Sequence, residues 1–315
     1  MGVPGNRDPR RQNLLGGWSF CVPGRDGSSC EKGVCAFSPG KCYSRGEQVL
    51  ILDSEVLPDI EKVDSAGGRF QLKQLPMKDH SWKTDVLLTG DWRGATCALL
   101  SNASHHIIVD TGMPHEAYRL IEALEKRQLH PSDIRMVINT HFHVDHVLNN
   151  FLFPAAEIYG SQQSYEWCCA VYSDLQDEQN WERLIPKYYP QVGDYAKAQP
   201  LKAALRRCAL RWWDRKRLGD PSRFRWIETH PLPDDLEFLL TSGHVPGHAS
   251  VIVHNGDQPT VIAGDALLTR EHDESVFTMI PHNREQFQHD RARILAMTGR
   301  ILPGHDSEFS NGDAG

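Results

Sequence analysis

The chain lacks the features that would indicate a membrane protein or a general nucleic-acid binder. No apolar run approaches the roughly 20 residues that a transmembrane helix needs, so we expect no membrane span. Positive charge is not in excess, because 34 Lys and Arg stand against 41 Asp and Glu, for a formal net charge of -7. Internal repeats are also lacking, and 315 residues suffice for one large domain with additional segments.

Eight cysteines are present, and their spacing matches no standard metal-binding pattern. Four lie in a segment rich in Gly and Ser: Cys21, Cys30, Cys35 and Cys42. A small zinc or disulfide knot is one interpretation, but a loosely structured extension with free thiols is favoured. The other four are predicted to pack in the core: Cys97, Cys168, Cys169 and Cys208. Because thiols of this kind fit a reducing compartment and the N-terminus shows no clear targeting signal, we expect a cytoplasmic protein.

Hydrophobic patterning divides the chain into three parts. Residues 1–45 form an irregular extension rich in Cys and Gly, and residues 46–83 show the alternating stretches of a strand or hairpin lead-in. From 84 to 315, strand-like runs alternate with amphipathic helical runs, which predicts an α/β domain. A helical insert rich in Trp and Tyr is predicted over about 162–230 of this domain.

The segment INTHFHVDHVLNN, residues 138–150, follows a short buried strand and holds the strongest chemical signal. His141 and His143 are two positions apart, so on an extended loop both rings point to one side. Asp145 and His146 follow where the chain turns into a helix, close enough to face a neighbouring metal position. Imidazole nitrogens and carboxylate oxygens are zinc ligands, and catalytic sites keep one position open for water. A single histidine or aspartate beside a helix is often only a capping residue. Capping does not explain four such groups that converge on one place.

Four further elements complete a pattern that resembles the metallo-β-lactamase superfamily. In chain order the five elements are VDTG with Asp110, HFHVDH at 141–146, GHVPGHAS with His248, AGD with Asp265 and PGHD with His305. The resemblance covers about residues 84–309. It implies an αββα sandwich, to which the helical insert and the N-terminal extension are added.

The resemblance also implies two divalent metal ions and a role for each matching residue. Seven side chains would be ligands: His141, His143 and His248 for the first ion, Asp145, His146 and His305 for the second, and Asp265 as a bridge between both. Asp110 would order the histidine loop from outside the coordination sphere. His248 is taken as the ligand because it occupies the PGH position, and His244 is assigned a structural role. Zinc is the expected metal, although iron and manganese accept the same ligands.

A centre of this kind implies hydrolysis by a hydroxide that bridges the metals, while one metal polarises the scissile group. Asp145 and Asp110 are the predicted catalytic residues, and Asp145 could carry a proton to the leaving group. Asp265 disfavours lactam cleavage, because several zinc β-lactamases carry a cysteine there or lack the bridging carboxylate pattern. We therefore expect an enzyme that cleaves an ester, lactone or thioester of a small molecule.

Resemblances to two groups within this superfamily point to different substrates and do not decide between them. GHVPGHAS is similar to the GH-x-x-GH-x-S stretch of acyl-homoserine lactonases, but Leu268 stands where that group has a tyrosine that serves the substrate oxyanion. THFHVDH together with PGHD also resembles small eukaryotic metallo-β-lactamase-domain proteins, one of which has been linked to RNA processing. A metal-dependent phosphodiesterase or RNA-processing nuclease is therefore the alternative function.

The stretch LKAALRRCALRWWDRKRL, residues 201–218, bears on that alternative. Its cations crowd a predicted helix: Lys202, Arg206, Arg207, Arg211, Arg215, Lys216 and Arg217. An apolar stripe lies opposite: Leu201, Leu205, Cys208 and Trp212. The cations could bind an anionic substrate, or a phosphate backbone whose bases stack on Trp212 and Trp213. A helix with a solvated basic face and core-packed tryptophans is favoured, so we expect a small-molecule partner and no membrane, and leave homodimerisation open.

Overall fold

The computed structural model of the protein describes residues 81–91, 94–191, 195–255, 258–271 and 281–312, and of 195–201 only the backbone. The predicted irregular extension at 1–45, with its four cysteines, lies outside the described residues. So does the predicted lead-in at 46–83, apart from its last three positions. Within the described part, no helix is both long and apolar enough to cross a lipid bilayer.

The first sheet has six strands in the order β1-β2-β3-β4-β5-β6. Their bounds are Lys83–Leu88 for β1, Cys97–Ser101 for β2, His106–Val109 for β3, Met136–Ile138 for β4, Glu157–Gly160 for β5 and Phe224–Trp226 for β6. The first three strands are antiparallel, and β3 to β6 are parallel. The parallel strands therefore end at the same edge of the sheet.

The second sheet has five strands in the order β11-β10-β9-β8-β7. Their bounds are Leu236–Leu240 for β7, Ala249–Val253 for β8, Thr260–Gly264 for β9, Gly299–Pro303 for β10 and Phe309–Asn311 for β11. Only β9 and β10 run parallel; the other neighbours are antiparallel. Strands β8 and β9 are buried along their whole length, as strands covered on both faces must be.

Six α-helices complete the described part of the domain. They are Ala117–Glu125 for α1, Val144–Val147 for α2, Gln162–Gln176 for α3, Leu184–Tyr188 for α4, Tyr195–Trp212 for α5 and Arg284–Leu295 for α6. Helices α3, α4 and α5 fall in the segment predicted to be helical. Strand β6 follows them and adds the last strand to the first sheet, so that segment is not helical throughout.

Alternation along the strands assigns residues to separate cores. In β2, Cys97 and Leu99 face the core that the first sheet shares with α1 and α3, whereas Ala98 and Leu100 face a core shared with the second sheet. In β9, Ile262 joins that central core, while Val261 and its neighbours on the other face pack with Ile294 of α6. The layers are therefore helix, sheet, sheet and helix, and the predicted α/β sandwich is confirmed.

The cysteines predicted to lie in the core do so. Cys97, Cys168 and Cys169 are buried, and Cys208 is half-buried and packs against the same core. All four are free thiols. They fill space among apolar side chains, which is the common role of a cysteine without a partner.

Candidate metal centre

Strand ends of both sheets carry the predicted metal-binding side chains to one place. His141, His143, Asp145 and His146 follow β4 and enter α2. Asp265 follows β9 directly, and His305 is the second residue after the end of β10. These loops meet because both sheets direct the ends of these strands toward the same edge of the sandwich.

The donor atoms form two groups, and in each the atoms lie within 4.8 Å of one another. The first group consists of His141, His143, His244 and Asp265, and the second of Asp145, His146 and His305. Six of the seven side chains predicted as ligands are therefore members of one group or the other. His248 is not, and His244 takes its place.

Asp265 stands between the two groups and turns one carboxylate oxygen toward each. Its Oδ2 lies 3.3 Å from Nε2 of His244 and 3.8 Å from Nε2 of His141. Its Oδ1 lies 3.2 Å from Nε2 of both His146 and His305. A carboxylate in this orientation is able to bridge two cations.

The structure places His244, which was predicted to be structural, in the first donor group, and places the predicted ligand His248 in neither group. Both ring nitrogens of His248 are already used: Nε2 accepts the backbone N–H of Asp265 at 3.0 Å, and Nδ1 lies 2.8 Å from Oγ1 of Thr241. In contrast, Nε2 of His244 lies 3.0 Å from Nδ1 of His143, among the other donors. His248 thus holds the backbone of Asp265, and both of its ring nitrogens have partners in this structure.

A signal in the sequence could have identified His244 as a candidate ligand. The other ligand-bearing loops begin where a strand ends, and His244 is four positions after the last residue of β7. His248 is instead followed at once by the first residue of β8. Since donors gather at the ends of these strands, position after a strand favours His244 over the second histidine of the GHVPGHAS stretch.

Asp110 contacts the histidine loop as predicted for a residue that orders the ligands. Its Oδ1 accepts the backbone N–H of Thr140 at 2.9 Å, and its Oδ2 accepts the Thr140 hydroxyl at 2.7 Å. The same Oδ2 lies 2.8 Å from Nδ1 of His146, which leaves Nε2 of that ring facing the donor group. Asp110 has a φ of 57°, a conformation that is uncommon outside glycine and that recurs at functional sites.

His305 is oriented by the backbone of the first hairpin. Its Nδ1 donates to the carbonyl of Asp91 at 2.7 Å, across 214 positions of sequence. Its backbone N–H donates to the carbonyl of Leu268 at 2.8 Å. The neighbouring Gly304 leaves no room for a side chain, because a Cβ there would lie 2.4 Å from Oδ1 of Asp265.

Buried polar atoms without a hydrogen-bond partner indicate that the donor set fits a cation. Within the described residues these atoms include Nε2 of His141, His146 and His305 and Oδ1 of Asp265. This Oδ1 lies 3.2 Å from Nε2 of both His146 and His305, but neither contact is aligned as a hydrogen bond. Buried polar atoms are almost always paired in native proteins, and leaving one unpaired costs about 1–3 kcal/mol. Four such atoms converging on one place, all of imidazole or carboxylate type, fit a divalent metal such as zinc.

Burial and carboxylate charge divide the histidines into two electrostatic classes. Burial lowers the pKa of His143 to about 4, so its ring is neutral and offers a lone pair. Burial also lowers the pKa of His305, but the carboxylates of Asp265 and Asp145 outweigh this and raise it to about 9. The negative charge of these two carboxylates therefore favours a bound cation, a proton or a metal, at the second group.

A comparison with known families agrees with the five sequence elements and with this geometry. The sequence model of the Metallo-beta-lactamase superfamily matches residues 90–305. The chain belongs to this superfamily. The matched range runs from the first hairpin to His305 and so includes every donor of both groups.

Relatives with known names are distant in sequence. Metallo-beta-lactamase domain-containing protein 1 of Homo sapiens is 26% identical over 219 residues, which cover 69% of this chain but only 64% of that relative. An N-acyl homoserine lactonase from a Bacillus species is 24% identical over 268 residues, covering 75% of this chain and 91% of the relative. The solved structure of AidC, a dizinc quorum-quenching lactonase, is 17% identical with a TM-score of 0.49, over 75% of this chain and 90% of that one.

The basic helix α5 and the residues after it make mainly structural contacts. Lys202, predicted on a solvated face, is buried with Nζ 4.4 Å above the ring of Trp181. Trp213, predicted in the core, is buried there and stacks on Tyr172 with ring centroids 4.4 Å apart. The guanidinium of Arg211 lies 4.6 Å above the ring of the half-buried Trp212, whose indole is therefore partly covered.

Proposed function

We propose that the protein is a dinuclear metal-dependent hydrolase that cleaves an ester, lactone or thioester of a small molecule. The observation that carries the proposal is the orientation of Asp265, with one oxygen facing each donor group. The proposed ligands are His141, His143 and His244 for one metal and Asp145, His146 and His305 for the other, with Asp265 shared between them. Two divalent ions held in this way would supply a hydroxide nucleophile at neutral pH and polarise the scissile carbonyl.

Two side chains have further roles in this proposal: one orients a metal ligand and the other transfers a proton. Asp110 fixes the tautomer and direction of His146 through the contact with Nδ1. Asp145 is the most exposed side chain of the second group, and its Oδ2 lies 3.4 Å from Nε2 of His305. A carboxylate that is both in the centre and open to solvent is suited to pass a proton to the leaving group.

Likeness to relatives supports the preference for an ester-type bond. The Bacillus relative is named for lactone hydrolysis, and its match extends over most of both chains. Leu268 differs from the tyrosine of that group, and its side chain is buried and apolar. If the substrate is a lactone, its carbonyl oxygen must therefore be stabilised by groups other than a side-chain hydroxyl at position 268.

Metal analysis of the purified protein tests the proposal, with Asp265→Asn as the deciding variant. We expect about two zinc ions per wild-type chain by elemental analysis, and about one or fewer for Asp265→Asn, because the amide cannot bridge as a carboxylate does. Turnover of a panel of lactones, esters and thioesters should fall by at least about 100-fold, since both metals lose a ligand. Parallel assays with a lactam and a phosphodiester define the bond type.

A matched control is Asp174→Asn, which replaces a half-buried carboxylate that accepts from Lys187 and Tyr188 and belongs to neither donor group. It should keep the metal content and turnover of the wild type. Fewer than one tightly bound metal per wild-type chain, or metal retained in full by Asp265→Asn, would contradict the proposal. Hydrolysis of the phosphodiester alone would favour the nuclease alternative, which no contact of Trp212 or Trp213 supports.

A further inference from the structure

Helix α3 contacts the backbone of the metal-binding segment through two buried hydroxyl groups. The N–H of Phe142 donates to Oγ of Ser164 at 3.2 Å. Two positions further on, the N–H of Val144 donates to the phenol oxygen of Tyr172, also at 3.2 Å. Both hydroxyls thus accept from amides that lie between the metal-binding side chains of the loop.

The side chains and the backbone of this segment are used for different purposes. His141, His143 and Asp145 are directed into the two donor groups, and the amides of the intervening Phe142 and Val144 are bound by α3. Because these hydrogen bonds use only backbone N–H groups, they leave the ligand atoms of the side chains free for a metal.

Ser164 and Tyr172 lie on one face of α3 because they are eight residues apart, with Cys168 midway between them. All three side chains are buried. Tyr172 is the one described side-chain acceptor for the Val144 amide, while the Phe142 amide has both Ser164 and the sulfur of Cys168 beside it. Losing the Tyr172 hydroxyl would leave a backbone N–H that water cannot easily reach.

Tyr172 is itself fixed from its other side. Its ring stacks on Trp213 with an interplanar angle of 24°. The side-chain amide of Gln176, one helical turn further along α3, donates to the carbonyl of Ala209 in α5 at 2.9 Å. The phenol oxygen is therefore held by the packing of α3 against the end of α5.

The first N–H of α2 needs this acceptor. Helix α2 has four residues, and its N-cap residue His143 makes no side-chain capping bond. The first amides of a helix have no partner within the helix and must find one outside it. Tyr172 supplies that partner for Val144, immediately before Asp145 and His146.

We infer that Ser164 and Tyr172 are positioning residues, which hold the backbone of residues 142–144 so that the ligands on either side reach both donor groups. This inference rests on the proposed function, because it assigns to α3 a part in binding the metals. Neither side chain belongs to a donor group. They act by fixing the positions of His143 and Asp145.

Tyr172→Phe is the deciding variant, because it removes the acceptor and keeps the ring that stacks on Trp213. We expect its zinc affinity, measured by competition with a chromophoric chelator, to fall about 10-fold, the lower end of the range for partners that orient ligands. Amide hydrogen exchange of a peptide covering 141–147, measured on the metal-free protein, should become faster by about 10-fold at Val144, as for the loss of one hydrogen bond. Ser164→Ala should produce the same changes centred on Phe142.

Tyr188→Phe is the matched control, since its phenol is also buried and donates to Asp174 at 2.7 Å, but it does not contact the metal-binding segment. It should lower thermal stability as much as Tyr172→Phe does and leave zinc affinity and exchange at Val144 unchanged. Wild-type zinc affinity in Tyr172→Phe, or an equal loss in Tyr188→Phe, would overturn the inference. Failure of the proposed function looks different, because the wild type would then bind no metal while the exchange measurement still decides whether α3 holds the loop.

Discussion

The strand ends around Asp265 and helix α5 are both crowded with ionisable side chains, but the surroundings of those side chains differ. At the strand ends, buried nitrogens of His141, His146 and His305 have no hydrogen-bond partner. Along α5, the charged groups of Lys202, Arg206 and Arg211 lie over aromatic rings, and Arg206 also pairs with Glu178, although its Nε is a single buried atom without a partner. The difference teaches that several unpaired buried donor atoms converging on one place indicate a missing ligand, whereas one such atom within a paired charge network does not.

Trp181 shows how α5 pairs its charges. Nζ of Lys202 and the guanidinium of Arg206 lie 4.4 Å and 4.9 Å from the centre of its ring. Arg206 also donates to Glu178 at 3.0 Å. These contacts join α5 to the segment that follows α3, and they explain why a run of cations in the sequence need not be a binding surface.

The largest effect should come from His244→Ala compared with His248→Ala. His244 is a proposed metal ligand, so loss of its ring should lower zinc affinity by more than about 100-fold, beyond the range for residues that only orient ligands. Loss of the His248 ring removes the acceptor for the Asp265 N–H, so affinity should fall only about 10-fold and the free energy of unfolding by about 1–3 kcal/mol. Chelator competition and denaturant unfolding measure both quantities, and a larger loss of zinc in His248→Ala would restore the original ligand prediction.

A smaller effect, on stability alone, should follow from Trp181→Ala. The ring packs against the core and lies under two cations, so its loss should lower the free energy of unfolding by about 2–3 kcal/mol. Zinc content by elemental analysis should stay at the wild-type value. Phe151→Ala, which removes a more exposed ring beneath Arg217, should cost less than Trp181→Ala. A loss of zinc in Trp181→Ala would show that α5 and the metal centre are not separable.

The smallest effect should come from Arg207→Glu and Arg211→Glu, which reverse exposed charges on α5. We expect the free energy of unfolding to change by no more than about 0.5 kcal/mol, with zinc content and turnover unchanged. RNA binding by the wild type should be weak and should not depend on these charges. Tight RNA binding with a steep salt dependence that the two substitutions abolish would instead identify α5 as a phosphate contact.

Much of the fold was predictable because it depends on periodicity. Apolar runs such as DIRMVINT and PTVIAGDALL are strands β4 and β9, and the donors they carry follow their ends. The GHVPGHAS spacing alone fits either His244 or His248, and only the position of each histidine relative to strands β7 and β8 favours His244. Ser164 and Tyr172 could not be assigned, since their partners belong to a loop that only the packing of α3 brings to them.

The hydrogen bond from His305 to the carbonyl of Asp91 has a consequence for how the domain is made. The two groups are 214 positions apart, and contacts of such long range form late in folding because loop closure must precede them. During synthesis the histidine loop emerges well before the PGHD turn does. The growing chain therefore carries an incomplete donor set until His305 has left the ribosome, and the proposed second metal, which needs this histidine, would be captured stably only after that point.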